Sequence, residues 1–253
     1  MQNQGKDVAE TMSAGGSLVR RAMDAVHAHI VDHKLRVGDA LPGEAHFATD
    51  LGVSRAVMRE AFGAMAALKL IDVANGRRAR VGAIDGSVMA ASMNHAISTD
   101  QVSVSDIWDV RRTLEVRTAA LAALNRTEQE AARITELAEL MAVETEDMPS
   151  ITRHDIEFHA TIARAGRNAL FVQIVASFAP LMQVAVPAAW ATRTRDEDRS
   201  ETIARHRAIA GAIAAGDEHG ARRAMEAHFD ASIGVNLREL GRAWPDVSGV
   251  RAV

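Results

Sequence analysis

Apolar residues recur along most of this chain at the three-to-four-residue spacing of amphipathic helices, and one short stretch breaks that rhythm. The pattern over Ser17–His33 sets Leu18, Ala22, Ala25, Val26, His29 and Ile30 on one face, with Ser17 as the N-cap. Gly38 and Pro42-Gly43 then mark a connector. Glu44–Asp50 reads as a brief helix and Leu51-Gly52-Val53 as a tight turn. Ser54 caps a longer helix to about Lys69, with Val57, Ala61, Met65 and Leu68 predicted on its inner face. The rhythm changes at Ile71–Ala74 and Arg80–Ala83, two β-prone pieces flanking Asn75-Gly76. Asn-Gly between apolar residues is a strong hairpin signal, because both residues tolerate positive φ. Three helices followed by a hairpin outline a winged helix-turn-helix.

Residues 84–104 read as a linker holding a helix-like apolar patch, Val88–Ile97. From Ser105 onward nearly everything is helix-periodic, with spans expected at 105–124, 127–146, 151–165, 168–191, 197–215 and 217–240. Asn125, Pro149, Gly166 and Gly216 supply the breaks, and Pro187 kinks the fourth span. Short connections between about six helices predict an antiparallel bundle. The fold class expected is therefore mainly α: an N-terminal winged helix-turn-helix plus a C-terminal antiparallel all-helical bundle. The expected boundaries are a disordered arm at 1–14, the winged helix at 15–83, the linker at 84–104, the bundle at 105–240 and a tail at 241–253.

Composition narrows the chemistry. Frequent Ala with 4% aromatic residues favours helix. The absence of Cys excludes disulfides, thiolate metal sites and cysteine nucleophiles. No run approaches the ~18 apolar residues of a membrane span, and the N-terminus lacks an apolar signal core, so no membrane partner and a cytoplasmic location are expected. The net charge of −4 is unevenly spread: residues 13–83 carry ten Lys and Arg against seven Asp and Glu, while residues 84–253 carry eighteen against twenty-four. A basic front on an acidic body suits a DNA-reading domain joined to a domain with another task.

Arg55 and Arg59 are four apart near the start of the second helix of the pair, so both project from one side. In helix-turn-helix proteins that end enters the major groove, where Arg bridges guanine O6 and N7 or grips a phosphate. Taken alone, two such arginines would be an ordinary solvated helix face. Their setting is more specific. Leu41-Pro42, Glu44, the Leu51-Gly52-Val53-Ser54-Arg55 turn, Arg59-Glu60-Ala61, Leu68, and Gly76 followed by Val81 resemble the DNA-binding domain of the GntR superfamily of bacterial regulators. The resemblance implies a double-stranded DNA operator contacted by Ser54, Arg55 and Arg59, with Asn75 and Gly76 reaching the minor groove. Arg77, Arg78 and Arg80 around the wing tip would bind phosphates. One position departs: Ala45 stands where the family commonly carries Arg, so one expected contact is absent.

In the C-terminal half, Asp155 and His159 are four apart on one predicted helix, and His206 and His228 lie on two later ones. On spacing alone these are either ligands of a divalent metal or histidines satisfied by ordinary hydrogen bonds. Asp155-x3-His159 with Asn168 downstream, Arg205-His206, Met225-x2-His228 and Val110-Arg111-x3-Glu115 resemble the FCD effector domain of the FadR subfamily, over about residues 105–235. That resemblance implies a divalent metal ion, zinc or nickel, on Asp155, His159, His206 and His228, beside a small carboxylate effector such as a hydroxy acid or sugar acid. Arg111 either grips the effector carboxylate or pairs with Glu115 one turn on. Asn168 is expected beside the effector as a helix N-cap. Trp108 and Trp190 line the pocket, form a subunit interface or fill the core.

The reading that unites these features is an effector-responsive transcription regulator, a repressor by family habit and not an enzyme. A homodimer is expected, since a pseudo-palindromic operator needs two related recognition helices. The alternative of a helical metallohydrolase carrying a DNA-binding domain would use Glu157 as base. However, Glu157 is two residues from both Asp155 and His159 and so leaves their face. H-E-x-x-H, a Gly-rich phosphate loop and a nucleophile elbow are absent. A third alternative makes the bundle purely structural.

Overall fold

The computed structural model describes residues 4–143 and 147–243, and the chain divides into two compact units, Met1–Val88 and Met89–Val253. The first unit holds α1 (Gln4–Asp32), α2 (Glu44–Leu51), α3 (Arg55–Ala67) and the strands β1 (Ile71–Asp72) and β2 (Arg80–Val81). Its core draws Ala22 and Val26 from α1, Phe47 from α2 and Met58, Phe62 and Met65 from α3. Three expectations are corrected. First, α1 begins at Gln4, so residues 4–14, read as a disordered arm, are helical. No Pro interrupts them, and Ala, Glu, Met and Lys are good helix formers. Second, the inner face of α3 is Met58, Ala61, Phe62 and Met65, while Val57 is half-buried and Leu68 is 46% exposed. Leu68 is the C-cap, where the chain leaves the helical path, so the helical period no longer aims it inward.

Third, the ladder is shorter than expected. Ile71 pairs with Val81 and Asp72 with Arg80, and Ala40 adds a bridge to Arg80. Asn75 and Gly76 therefore lie inside a wide loop over 73–79 rather than closing a two-residue hairpin. Gly76 does adopt the positive φ of 73° that the turn requires. Gly82 matters for a different reason: a Cβ there would run into the Lys69 carbonyl oxygen.

The second unit is helical. α4 (Ser87–Ser98) is the helix expected within the linker, and its Ile97 and Met93 pack on the bundle core. α5 (Val104–Asn125) starts at a capping box in which Ser103 and Asp106 satisfy each other's backbone N–H groups. α6 (Glu128–Val143), α7 (Met148–Ala165), α8 (Ala169–Ser177), α9 (Ala179–Ala191), α10 (Asp196–Ala214) and α11 (Glu218–Ala243) follow. Phe158 and Ile162 of α7 pack with Ile134 of α6, Ile209 of α10 and Phe229 of α11.

Pro149 starts a helix instead of breaking one, because the first turn of α7 leaves its own N–H groups unpaired anyway. The expected span 168–191 is two helices bent by 54°. Pro180 in the first turn of α9 causes the break, having no N–H to donate and a ring that clashes with the preceding turn. Pro187 sits inside α9 without ending it. No single helix among the described residues is long and apolar enough to cross a membrane; α8 and α9 meet that criterion only as a bent pair. Residues 1–3 of the expected arm and 244–253 of the expected tail lie outside the described residues.

Candidate functional site

The winged unit turns its cations outward. Ser54 caps α3 by accepting the Val57 N–H at 3.3 Å, which fixes where the helix starts. One turn apart on that helix, Arg55 and Arg59 are exposed. Arg59 Nε lies 3.9 Å from Glu44 Oε2, a solvent-screened contact that leaves the guanidinium available. Asn75, Gly76, Arg77 and Arg78 are all exposed on the wing loop. Arg80 is different, since its Nη1 donates to the Gly38 carbonyl at 2.6 Å and braces the base of the wing.

The bundle does the reverse and buries its charge. His159, His206 and His228 each offer a ring nitrogen, and these atoms lie within 4.8 Å of one another. Asp155 joins them, with Oδ1 3.2 Å from His206 Nε2 and 4.0 Å from His159 Nε2. The outer ring nitrogens are held. His206 Nδ1–H donates to the Thr202 carbonyl at 2.9 Å, and His159 Nδ1 sits 2.5 Å from Glu115 Oε2. A carbonyl or carboxylate can only accept, so both protons belong on Nδ1 and both Nε2 lone pairs face inward. His206 is then caught between a carbonyl on one side and the Asp155 carboxylate on the other. A proton or a cation must lie between Nε2 and that carboxylate. This is the donor set of a borderline divalent metal, with the outer partners that orient ligating imidazoles, so the residues fit the ion expected here.

Electrostatics agree with the geometry. Burial pushes the Asp155 carboxyl upward, but the His206 hydrogen bond and the surrounding imidazoles of His159, His206 and His228 outweigh it and hold it far below the usual carboxylate range. Burial, then the neighbouring imidazoles of His206 and His159, hold His228 well below the ordinary histidine value and keep it neutral. Burial likewise opposes ionisation of Glu115, yet Arg111 and His159 outweigh it and lower its pKa.

Arg111 is buried, with Nε 2.7 Å from Glu115 Oε1 and a further contact from Nη1 to the Met182 sulfur. Its guanidinium lies 5.0, 5.9 and 5.4 Å from the ring centres of Trp108, Phe178 and Phe229. The ion pair with Glu115 is thus formed, while Arg111 also lines a cavity that the four metal-site residues share. Trp108 and Trp190 line the same cavity. Asn168 does not: it is exposed and caps α8, its Oδ1 accepting the Leu170 and Phe171 N–H groups at 3.0 and 3.3 Å. Glu157 is not on the cavity wall and pairs with Arg164 at 2.5 Å, so it is not placed to act as the base that the hydrolase alternative would use. Sequence reasoning missed Arg193, which also lines the cavity.

A winged helix with outward cations, followed in the same chain by a helical ligand cavity, defines the class of ligand-responsive transcription regulators. Residues 18–81 match the family described as bacterial regulatory proteins, gntR family, and residues 106–231 match the FCD domain. The Glc operon transcriptional activator of Escherichia coli (strain K12) is 29% identical over 86% of this chain and 87% of its own length. A protein of the same organism assigned as an L-lactate dehydrogenase operon regulatory protein is 30% identical, over 81% of each chain. The solved structure of Streptococcus agalactiae GntR shares the fold, with a TM-score of 0.61 at 23% identity over 84% of this chain and 97% of that one. The chain belongs to the GntR family of bacterial transcription regulators and carries an FCD effector-binding domain.

Proposed function

We propose that this protein binds a double-stranded operator as a homodimer and changes its hold on that DNA when a small carboxylate metabolite enters the bundle cavity. Asp155, His159, His206 and His228 would hold a divalent metal, zinc or nickel, there. The observation that carries the reading is the convergence of three imidazoles within 4.8 Å on the cavity wall. A bound divalent ion supplies a Lewis-acid position for a ligand oxygen. Glu115 and Thr202 keep two of the imidazoles in the ligating tautomer, and Arg111 with its aromatic cage keeps Glu115 in place. Arg55 and Arg59 read base edges, Ser54 supports them, and Asn75, Gly76, Arg77 and Arg78 anchor the wing.

The ligand can shift operator affinity only as far as it binds one arrangement of the dimer better than another. A relative assigned to an L-lactate dehydrogenase operon supports a hydroxy acid as the effector class. Elemental analysis of the purified protein and of His159→Ala tests the metal site. About one zinc or nickel per chain is expected in the first and a ~10–100-fold weaker hold in the second; equal metal content in both would contradict it. A promoter reporter reads the sign of regulation, repression by family habit or activation as in the Glc operon relative.

A further inference from the structure

Most polar groups on the cavity wall already have protein partners. Arg111 is bound to Glu115, and the Thr202 hydroxyl donates to the Asp198 carbonyl at 3.0 Å. Two donors stand apart. The Trp108 indole N–H is buried with no acceptor, although Trp108 lines the cavity and is only 7% exposed. An orphaned buried donor calls for an explanation, and a ligand acceptor is one. Arg193 also lines the cavity and faces the field of Asp155. Its Nη1 donates to the Ala189 carbonyl at 2.7 Å, and it has no carboxylate within ion-pair distance among the described residues. Burial and the neighbouring Arg205 charge disfavour its cation, so an incoming anion would relieve it. Arg193 is also shared with an adjoining polar pocket, where Arg195 pairs with Asp198 and Arg205 with Glu201, so it is the cation common to that pocket and the metal-site cavity.

The rest of the wall is apolar: Met141, Ile151, Met182, Val186, Trp190 and Ile203. The cavity offers about 50 Å³, a small space that favours a short acid over a long one. We infer that Arg193, rather than Arg111, takes the effector carboxylate, with the Trp108 indole N–H as a second donor. The effector is then a short monocarboxylate with an apolar tail rather than a sugar acid. This rests on the carboxylate-effector reading above and narrows it. A polyhydroxylated acid would bury hydroxyls against Ile151, Trp190 and Ile203 without partners, which the cavity does not compensate.

The test is calorimetric titration of the full-length, zinc-loaded protein with 2-hydroxybutyrate, glycerate and gluconate. The first two have the same number of non-hydrogen atoms and differ by a terminal methyl against a terminal hydroxyl. The wild type should bind 2-hydroxybutyrate about 10–100-fold more tightly than glycerate, and gluconate should give no heat. Arg193→Ala should weaken 2-hydroxybutyrate by about 10–100-fold with zinc content unchanged, and Arg193→Lys should recover part of the loss. Equal or tighter binding of glycerate or gluconate overturns the apolar-tail class. Wild-type affinity in Arg193→Ala overturns its role as clamp. If that variant folds poorly, the methyl-against-hydroxyl pair on the wild type still decides the ligand class. Silence from all three acids overturns the carboxylate reading itself, a result distinct from a reversed preference.

Discussion

Arg59 and Arg111 are the same residue put to opposite uses in the two units. Arg59 keeps 78% of its side chain exposed and meets only a distant Glu44 carboxylate, whereas Arg111 keeps 4%, bonds Glu115 and lies among three aromatic rings. An exposed cation adds little to stability and stays available to a polyanion such as DNA. A buried one is part of the frame, because removing its partner strands a charge away from water. On the proposed reading the winged unit displays its function on a surface whose alteration should leave the fold intact. The bundle's function cannot be separated from its core in this way.

The widest gap between the two should appear on deleting charge from each. Glu115→Ala strips Arg111 and His159 of their buried acceptor and should cost about 3–5 kcal/mol of stability, read as a lower denaturant midpoint. Arg59→Ala should stay within about 0.5 kcal/mol of wild type. A Glu115→Ala protein as stable as wild type would break the contrast. The complementary loss is in DNA binding, where Arg55→Ala and Arg59→Ala should each weaken the operator complex by about 1–3 kcal/mol if the contact is to a base. Gel-shift affinities equal to wild type would remove both from the reading face.

Acid should separate the units more gently. His228 stays neutral in the folded bundle well below its ordinary value of 6.5, because of burial and the neighbouring His206 and His159 imidazoles. Between that lowered value and 6.5 the unfolded chain holds a proton the native state lacks. Stability of the metal-free protein should thus fall as pH drops below 6.5, by at most about 1.4 kcal/mol per pH unit. His228→Leu should flatten that dependence in thermal melts at stepped pH, and an unchanged slope would reject the assignment. Asn168→Ala should have the smallest effect, about 1 kcal/mol from the lost α8 cap with ligand affinity unaltered. A change in ligand titration would instead return Asn168 to the effector site.

The winged helix was legible because its signals are contiguous. Ser54, Arg55 and Arg59 follow one turn and share one helix, so periodicity alone sets them together. Asp155 and His159 were legible as a pair for the same reason. Their convergence with His206 and His228 came from family resemblance, since no period links residues on separate helices. Arg193 was invisible because it lies in the polar run Thr192-Arg193-Thr194-Arg195 after α9, which reads as a solvated connection. The break between α8 and α9 did leave a signal in Ala179-Pro180, overlooked in favour of Pro187. The shift of the α3 inner face from Val57 to Met58 and Phe62 was not readable, because both registers are apolar and only tertiary packing chooses between them.

The most direct test of an outward-reading surface governed by an inward-facing site is operator affinity measured by fluorescence anisotropy, with and without 2-hydroxybutyrate. The duplex is one selected in vitro by the full-length protein. Zinc-loaded wild type should change its affinity at least several-fold on adding the acid. His159→Ala should bind the same duplex as wild type does without ligand and show no response to the acid. An equal response in both proteins would contradict the account.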